Sequence, residues 1–307
     1  MSLFADIESA HETLYRHLRT QSHCDILIDR MAWGDLGETL DGWAHTGESA
    51  ALRDPLFDAM PEQSPLLLRL PRTDLKLTEY LLERARTEAL TAGSARSVCA
   101  FIFSPVSLPR LAKHLSAHLN ANMEGFGSIY FRYFDPRVWP HLQRIITPTQ
   151  LHGLFGDIDT WLSMDWHGRL QVSLRPPALE TSEPVSPYSR PHYSAAQWQQ
   201  IERIETVNLS LQRLQAAGIA LPDLALADKT VAAAATQLES QIDQVAYSAF
   251  ALALGATFTG HPQLPEALKL AREHDIPLAD VIADRLHLTL DPAFTAERED
   301  SRSHQSF

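Results

Sequence analysis

The chain has 307 residues, room for one large or two ordinary domains, and 45% of them are apolar, enough to fill a core. Its formal net charge of −12 argues against a phosphate-backbone partner, which needs a basic surface, so no nucleic-acid partner is expected. The two cysteines, Cys24 and Cys99, both fall in apolar runs and read as small buried hydrophobes of a reducing compartment, not as a disulfide framework or a zinc site.

At the N-terminus Asp6 and Glu8 interrupt the only apolar stretch, so no secretory signal is expected. The uncharged stretch Val245 to Gly260 falls short of the about 20 apolar residues that span a bilayer and is punctuated by Ser, Thr and Gly. A cytoplasmic protein without membrane insertion is the expectation. From there the chain alternates strand-like runs with helical patterns. The strands are Ile26–Ile28, Leu66–Leu70, Val98–Phe103, Ser128–Phe134 and Leu170–Leu174. That alternation predicts an α/β lobe with a mixed sheet over residues 1–175.

Within this lobe the stretch from Phe131 to Trp139 carries the most information. Ile129, Phe131 and Tyr133 alternate with Tyr130 and Phe134, which predicts a central strand covered on both faces. Arg132 lies among them and must be paired or sit at the strand end, because an unpaired buried guanidinium is costly. Asp135 suits the cap of a following helix, and Pro136 its first position, where the missing N–H is no loss. Arg132 and Arg137 are expected to hold this strand-to-helix corner through carboxylates such as Asp29 or Asp135.

Prolines 176, 177, 184, 187 and 191 fall in one polar stretch, so residues 176–193 read as a linker. Residues 194–290 then read as a smaller all-helical lobe. Ser194 with Gln197 forms a capping box, and Trp198, Ile201, Ile204, Leu211 and Leu214 make a stripe ended by Gly218. A long helix is expected from Lys229 to Leu254, then shorter ones over Leu264–His274 and Leu278–Leu288. Residues 291–307 are polar and charged and read as a disordered tail.

Catalytic templates are absent: no nucleophile elbow, no phosphate-binding glycine loop, no paired Cys-x-x-Cys. Gly125 and Gly127 precede a strand, so they read as a turn. His114 and His118, four apart on one helix, are the best metal candidates, with Asp135 as a conceivable carboxylate partner. Leu115 stands where a zinc protease needs Glu, and both histidines fall at the border of the Leu108–Leu111–Leu115–Leu119 stripe, the usual place of rim packing. No catalytic residue, metal ligand or cofactor is assigned. Trp33, Trp43, Trp139 and Trp198 are the candidate partner contacts, since aromatics anchor interface centres.

Several of these segments together carry a resemblance. Phe131-Arg132-Tyr133-Phe134-Asp135-Pro136-Arg137 resembles the signature of the type VI secretion effector adaptor and chaperone family (Tap/Tec). Ile26 to Asp29, Asp54-Pro55-Leu56-Phe57, Ser64 to Leu68, Ser104 and Leu108 to Leu115 resemble its preceding blocks, in the same order. Phe155 to Ile158 with Trp161 resembles a later one, with Asp157 in place of the usual proline. The resemblance covers residues 24 to 175; the loop from Asn122 to Gly127 is shorter than the family's. It implies a non-catalytic adaptor with no cofactor. Such a protein binds a toxic effector by its N-terminal or PAAR/Rhs-like loading region and delivers it to the VgrG spike. The two lobes would shield apolar effector helices in a cleft. A metal-dependent enzyme using His114 and His118, or a structural subunit of the secretion apparatus, is the alternative.

Overall fold

The computed structural model describes residues 3–34, 48–123, 127–177 and 192–290. Its contacts divide the chain into two compact units, one ending at Trp198 and one beginning at Gln199. The expected linker falls for the most part, and the expected tail wholly, outside the described residues.

The first unit is built on a six-stranded sheet of β1 (His23–Ile28), β2 (Glu48–Ala51), β3 (Leu66–Pro71), β4 (Val98–Phe103), β7 (Thr160–Met164) and β8 (Leu170–Leu174). The spatial order is β2-β3-β1-β4-β7-β8, and every neighbouring pair is antiparallel. The mixed sheet expected from the alternating pattern is therefore corrected. The physical reason lies in β1. Strands β3 and β4 do run the same way, joined by a helix, but β1 is threaded between them and opposes both.

Central β4 reads Val-Cys-Ala-Phe-Ile-Phe and is buried along its whole length, as a strand covered on both faces requires. On one face lie α1 (Leu3–Leu18) and α3 (Leu75–Leu90). Ala10, Leu14 and Leu18 of the first, and Leu81, Leu82, Ala85 and Ala89 of the second, share a core with Cys24, Ile26, Ile28, Leu68, Phe101 and Leu162. Between these two helices and ahead of β2 comes the single turn α2 (Arg30–Trp33), capped by Asp29.

The alternate residues Leu27, Leu67, Ile102 and Trp161 point to the other face and are equally buried. There α4 (Leu108–Ala117) packs over β2 and β3, followed by α5 (Trp139–Ile145) and α6 (Pro148–Phe155). Between α4 and α5 comes a separate hairpin, β5 (Asn120–Met123) with β6 (Gly127–Tyr130). The strand expected over Ser128–Phe134 is thus shorter and lies outside the main sheet. Among the described residues it pairs with the preceding strand, which runs out where α4 ends. Phe131 N–H makes the last bond, to Leu119 O at 2.7 Å, and the chain then turns through Arg132 to Asp135. Gly125 lies outside the described residues.

The second half is helical. Ser194 and Gln197 exchange their capping bonds at the start of α7 (Ala195–Glu202). The stripe expected as one helix breaks at Arg203 and resumes as α8 (Ile204–Ala216); the Arg203 guanidinium turns to Gln199 O and the Asp228 carboxylate. The long helix expected from Lys229 to Leu254 is also two, α9 (Leu224–Ala235) and α10 (Gln241–Leu254). Ser240 accepts from Asp243 N–H and so starts a new helix, while Leu238 turns inward between the two. Then follow α11 (Ala256–Thr259), α12 (Leu264–His274) and α13 (Leu278–Val281). Phe250, Phe258, Leu264, Leu268, Leu278 and Ile282 form the core of this unit. Among the described residues no helix is long and apolar enough to cross a membrane.

Candidate functional site

The segment after β6 builds a buried corner. Phe131, Tyr133 and Phe134 turn inward, and Tyr133 donates its hydroxyl proton to Leu115 O at 3.0 Å. Trp139 stacks on Trp161 with centroids 4.4 Å apart, and its indole N–H reaches Ser173 Oγ at 3.2 Å. Tyr193 and Trp198 meet the Phe131 ring edge to face. The alternation of aromatics in the sequence therefore fills one cluster beneath the sheet and not two faces of a strand.

The charged residues of the same segment lock its turn. Asp135 accepts Arg137 N–H at 2.9 Å, and the Arg137 side chain grips the same carboxylate at 3.0 and 2.7 Å. Arg132 bonds Asp29 at the end of β1 and stands 3.5 Å from Asp135. Burial drives the Asp135 carboxyl up, yet the Arg137 bond and charge, with Arg132, outweigh it and hold it below the usual range. For Asp29 burial prevails over Arg132, and its carboxyl is raised. Pro136 is buried in the turn, and α5 begins only at Trp139, so Asp135 starts an Asx-type turn instead of capping the helix directly.

Beside this corner the surface displays apolar side chains among charged ones such as Asp58 and Glu62. Asp29 accepts Met31 N–H at 3.0 Å, which starts α2 and leaves the Met31 side chain 57% exposed. The single turns Pro55–Phe57 and Pro61–Gln63 pack next to it and display Leu56 and Met60. Phe57 points inward and meets Tyr130 edge to face at 5.5 Å, which ties this patch to the hairpin. The exposure of Met31 and Met60 is not legible in the sequence, because methionines in short turns carry no periodic signal. Flexible, polarizable Met side chains suit a surface that adapts to a partner.

The tryptophans expected as partner contacts do not serve that way in this fold. Trp33, Trp139 and Trp198 are 3%, 1% and 5% exposed. Trp33 lies under the Arg84 guanidinium, 3.7 Å from the ring centroid, and Arg84 also bonds its carbonyl. They are core residues because the turns around them fold back on the sheet. Trp43 lies outside the described residues.

His114 and His118 are likewise buried, which corrects their placement at the rim of α4. The flank that the helical pattern leaves polar is covered by α6, forty residues on. His114 Nε2 donates to Leu154 O at 2.9 Å, since a carbonyl can only accept. His118 lies edge-on to it at 4.7 Å, and its ring nitrogens find no hydrogen-bond partner among the described residues. Burial, then the neighbouring His114, lowers its pKa to about 3. Asp135 is engaged by the arginines, and among the described residues no group of three His, Cys, Asp or Glu is placed to hold a metal. Gly156 closes this pocket at φ +54°, where a Cβ would stand 2.4 Å from His114 Cε1. Gly156→Ala is expected to cost about 1–3 kcal/mol, read as a lower urea midpoint at unchanged slope.

Two further buried polar groups anchor the frame. Arg69 on β3 holds Asp25 on β1 through both carboxylate oxygens at 2.7 and 2.8 Å. Glu88 of α3 accepts Ser97 N–H at 2.7 Å and Arg84 Nε at 2.9 Å, tying helix to β4. Neither was legible beforehand, since both depend on register and packing between distant segments.

Residues 24–153 match the family described as Domain of unknown function (DUF4123). No curated protein and no solved structure matches the chain. The matched span contains all of β1 but His23, the turns that carry Met31, Leu56 and Met60, α4 and the whole Arg132–Asp135–Arg137 corner. The match is thus confined to residues 24–153, and the DUF4123 family that this segment resembles is known as the type VI secretion effector adaptor (Tec/Tap) family.

Proposed function

We propose that this protein is a non-catalytic, cytoplasmic adaptor. It binds a type VI secretion effector by its N-terminal or PAAR/Rhs-like loading region and delivers it to the VgrG spike. The observation that carries the reading is the DUF4123 match with its ion-paired corner, which supports a recognition role over turnover. The exposed Met31, Leu56 and Met60 side chains, held beside that corner, offer the apolar contact such binding needs.

The test is expression of the effector with and without this protein. The reading expects the effector to be insoluble or unsecreted alone and rescued by the adaptor. An effector that is stable alone, and secreted normally after deletion of this gene, contradicts it. Met31→Asp with Met60→Asp is expected to weaken effector capture about tenfold or more. Because both side chains are exposed, the melting temperature should stay within about 2 °C.

A further inference from the structure

We propose that a cleft between the end of α1 and the end of β3 binds a phosphoryl group, either as free phosphate or on a small molecule. The inference goes beyond the adaptor reading and does not depend on it. The cleft has a volume of about 420 Å³. One wall is the turn from α1 into β1, with Arg19, Gln21 and Ser22; the other is the turn from β3 into α3, with Arg72 and Thr73.

Backbone bonds fix the two turns to each other. Arg72 N–H donates to Ser22 O at 3.0 Å, next to the His23–Pro71 pair at the end of the β1–β3 ladder. Asp74 N–H closes the second turn on Pro71 O at 2.9 Å, and Arg19 N–H ties the first to Tyr15 O at 3.0 Å. The cleft is thus preformed by main chain, with the Arg19 and Arg72 side chains exposed at its walls.

Its chemistry is one-sided. Among the described residues the side chains of Arg19, Gln21, Arg72 and Thr73 make no hydrogen bond or ion pair, and no carboxylate lines the cleft. Asp74, the next residue in the chain, directs its carboxylate to the start of α3, where it accepts Leu77 N–H at 3.4 Å. The last carbonyls of α1 favour a cation and account for Arg19, but not for Arg72. Two guanidinium forks with an amide and a hydroxyl are a set of donors open to an anion.

The number of donors decides between anions. Elsewhere in this unit one guanidinium satisfies both oxygens of a carboxylate, as Arg69 does for Asp25 at 2.7 and 2.8 Å. Two free forks exceed what one carboxylate can accept and suit the additional oxygens of a phosphoryl group. The net charge of −12 repels a long polyanion and so restricts the ligand to a small one.

The test is isothermal titration calorimetry of the full chain with inorganic phosphate, glycerol 2-phosphate and succinate, all at one ionic strength. At least one of the two phosphates is expected to bind with Kd below about 1 mM, and about tenfold or more tighter than succinate. Tighter binding of glycerol 2-phosphate than of inorganic phosphate assigns the site to a monoester, and the reverse order to the free ion. Arg19→Gln and Arg72→Gln are each expected to weaken binding about tenfold. Both side chains are exposed, so the melting temperature should stay within about 2 °C. Arg72→Lys keeps the charge and loses the fork, and gives a smaller loss in the same direction should the glutamine variant fail to fold. Succinate bound as tightly as the phosphates, no saturation at about 10 mM, or undiminished binding by Arg19→Gln with Arg72→Gln overturns the proposal.

Discussion

Replacing Arg69 by methionine is expected to cost about 3–5 kcal/mol of folding stability, because it strands a buried carboxylate. Asp25 is fully enclosed between β3 and β4, and both of its oxygens are held by Arg69. The bond to Asp25 raises the Arg69 pKa in spite of burial, so the guanidinium stays charged at every pH the fold survives. Arg69 also donates to Val106 O at 2.9 Å, which fixes the chain between β4 and α4. The loss belongs to the unpaired charge and not to the pair as such. Asp25→Leu combined with Arg69→Met should therefore recover most of it, since apolar replacements of buried ion pairs are often neutral or stabilising. Urea denaturation of the two variants measures both. A single variant that loses less than about 1 kcal/mol would show that Asp25 is better solvated than its enclosure implies.

Acid is expected to destabilise the protein through His118. Unfolded, this imidazole has the ordinary pKa of 6.5; in the fold burial and His114 bring it to about 3. Below the unfolded value the unfolded chain takes up a proton that the fold refuses, so stability is full above that pH and drains away as pH falls toward the folded value. Linkage puts the loss at about 3 kcal/mol by pH 4. Asp135, whose carboxyl is depressed, adds a separate loss as pH falls further, whereas Asp29, whose carboxyl is raised, works in the opposite sense. The diagnostic quantity is therefore the difference between wild type and His118→Leu. The variant should lack the limb between pH 6.5 and 4 and should be the more stable protein at pH 5, having no unpaired imidazole to bury. Parallel pH profiles for the two proteins would contradict this.

How much of this was legible in the sequence follows from the range of the forces involved. Val98–Phe103 and Leu170–Leu174 were readable to the residue, because continuous or alternating apolar runs are local signals. Strand β2, Glu-Ser-Ala-Ala, has no such signal and exists because β3 offers it a ladder. Helix α1 was hidden by reading Asp6 and Glu8 as interruptions; the spacing of Ala10, Leu14 and Leu18 could have revealed it. The antiparallel sheet was beyond reach, since nothing local tells that β1 separates β3 from β4. At the corner the residue types were enough to pair Arg132 and Arg137 with Asp29 and Asp135, but not to end the strand at Tyr130. The histidines were misplaced because a helical wheel shows one helix and not α6 packed upon it. The exposed patch of Met31, Leu56 and Met60 could be found only in three dimensions.

The adaptor account is tested most directly by isolating the tagged, full-length protein from a cell that expresses its secretion system and identifying by mass spectrometry what comes with it. The account predicts a large toxin-like effector together with a VgrG-type spike, with the effector depleted about tenfold or more by Met31→Asp with Met60→Asp. Recovery of neither chain, with the secretion system expressed and the adaptor folded, would contradict it.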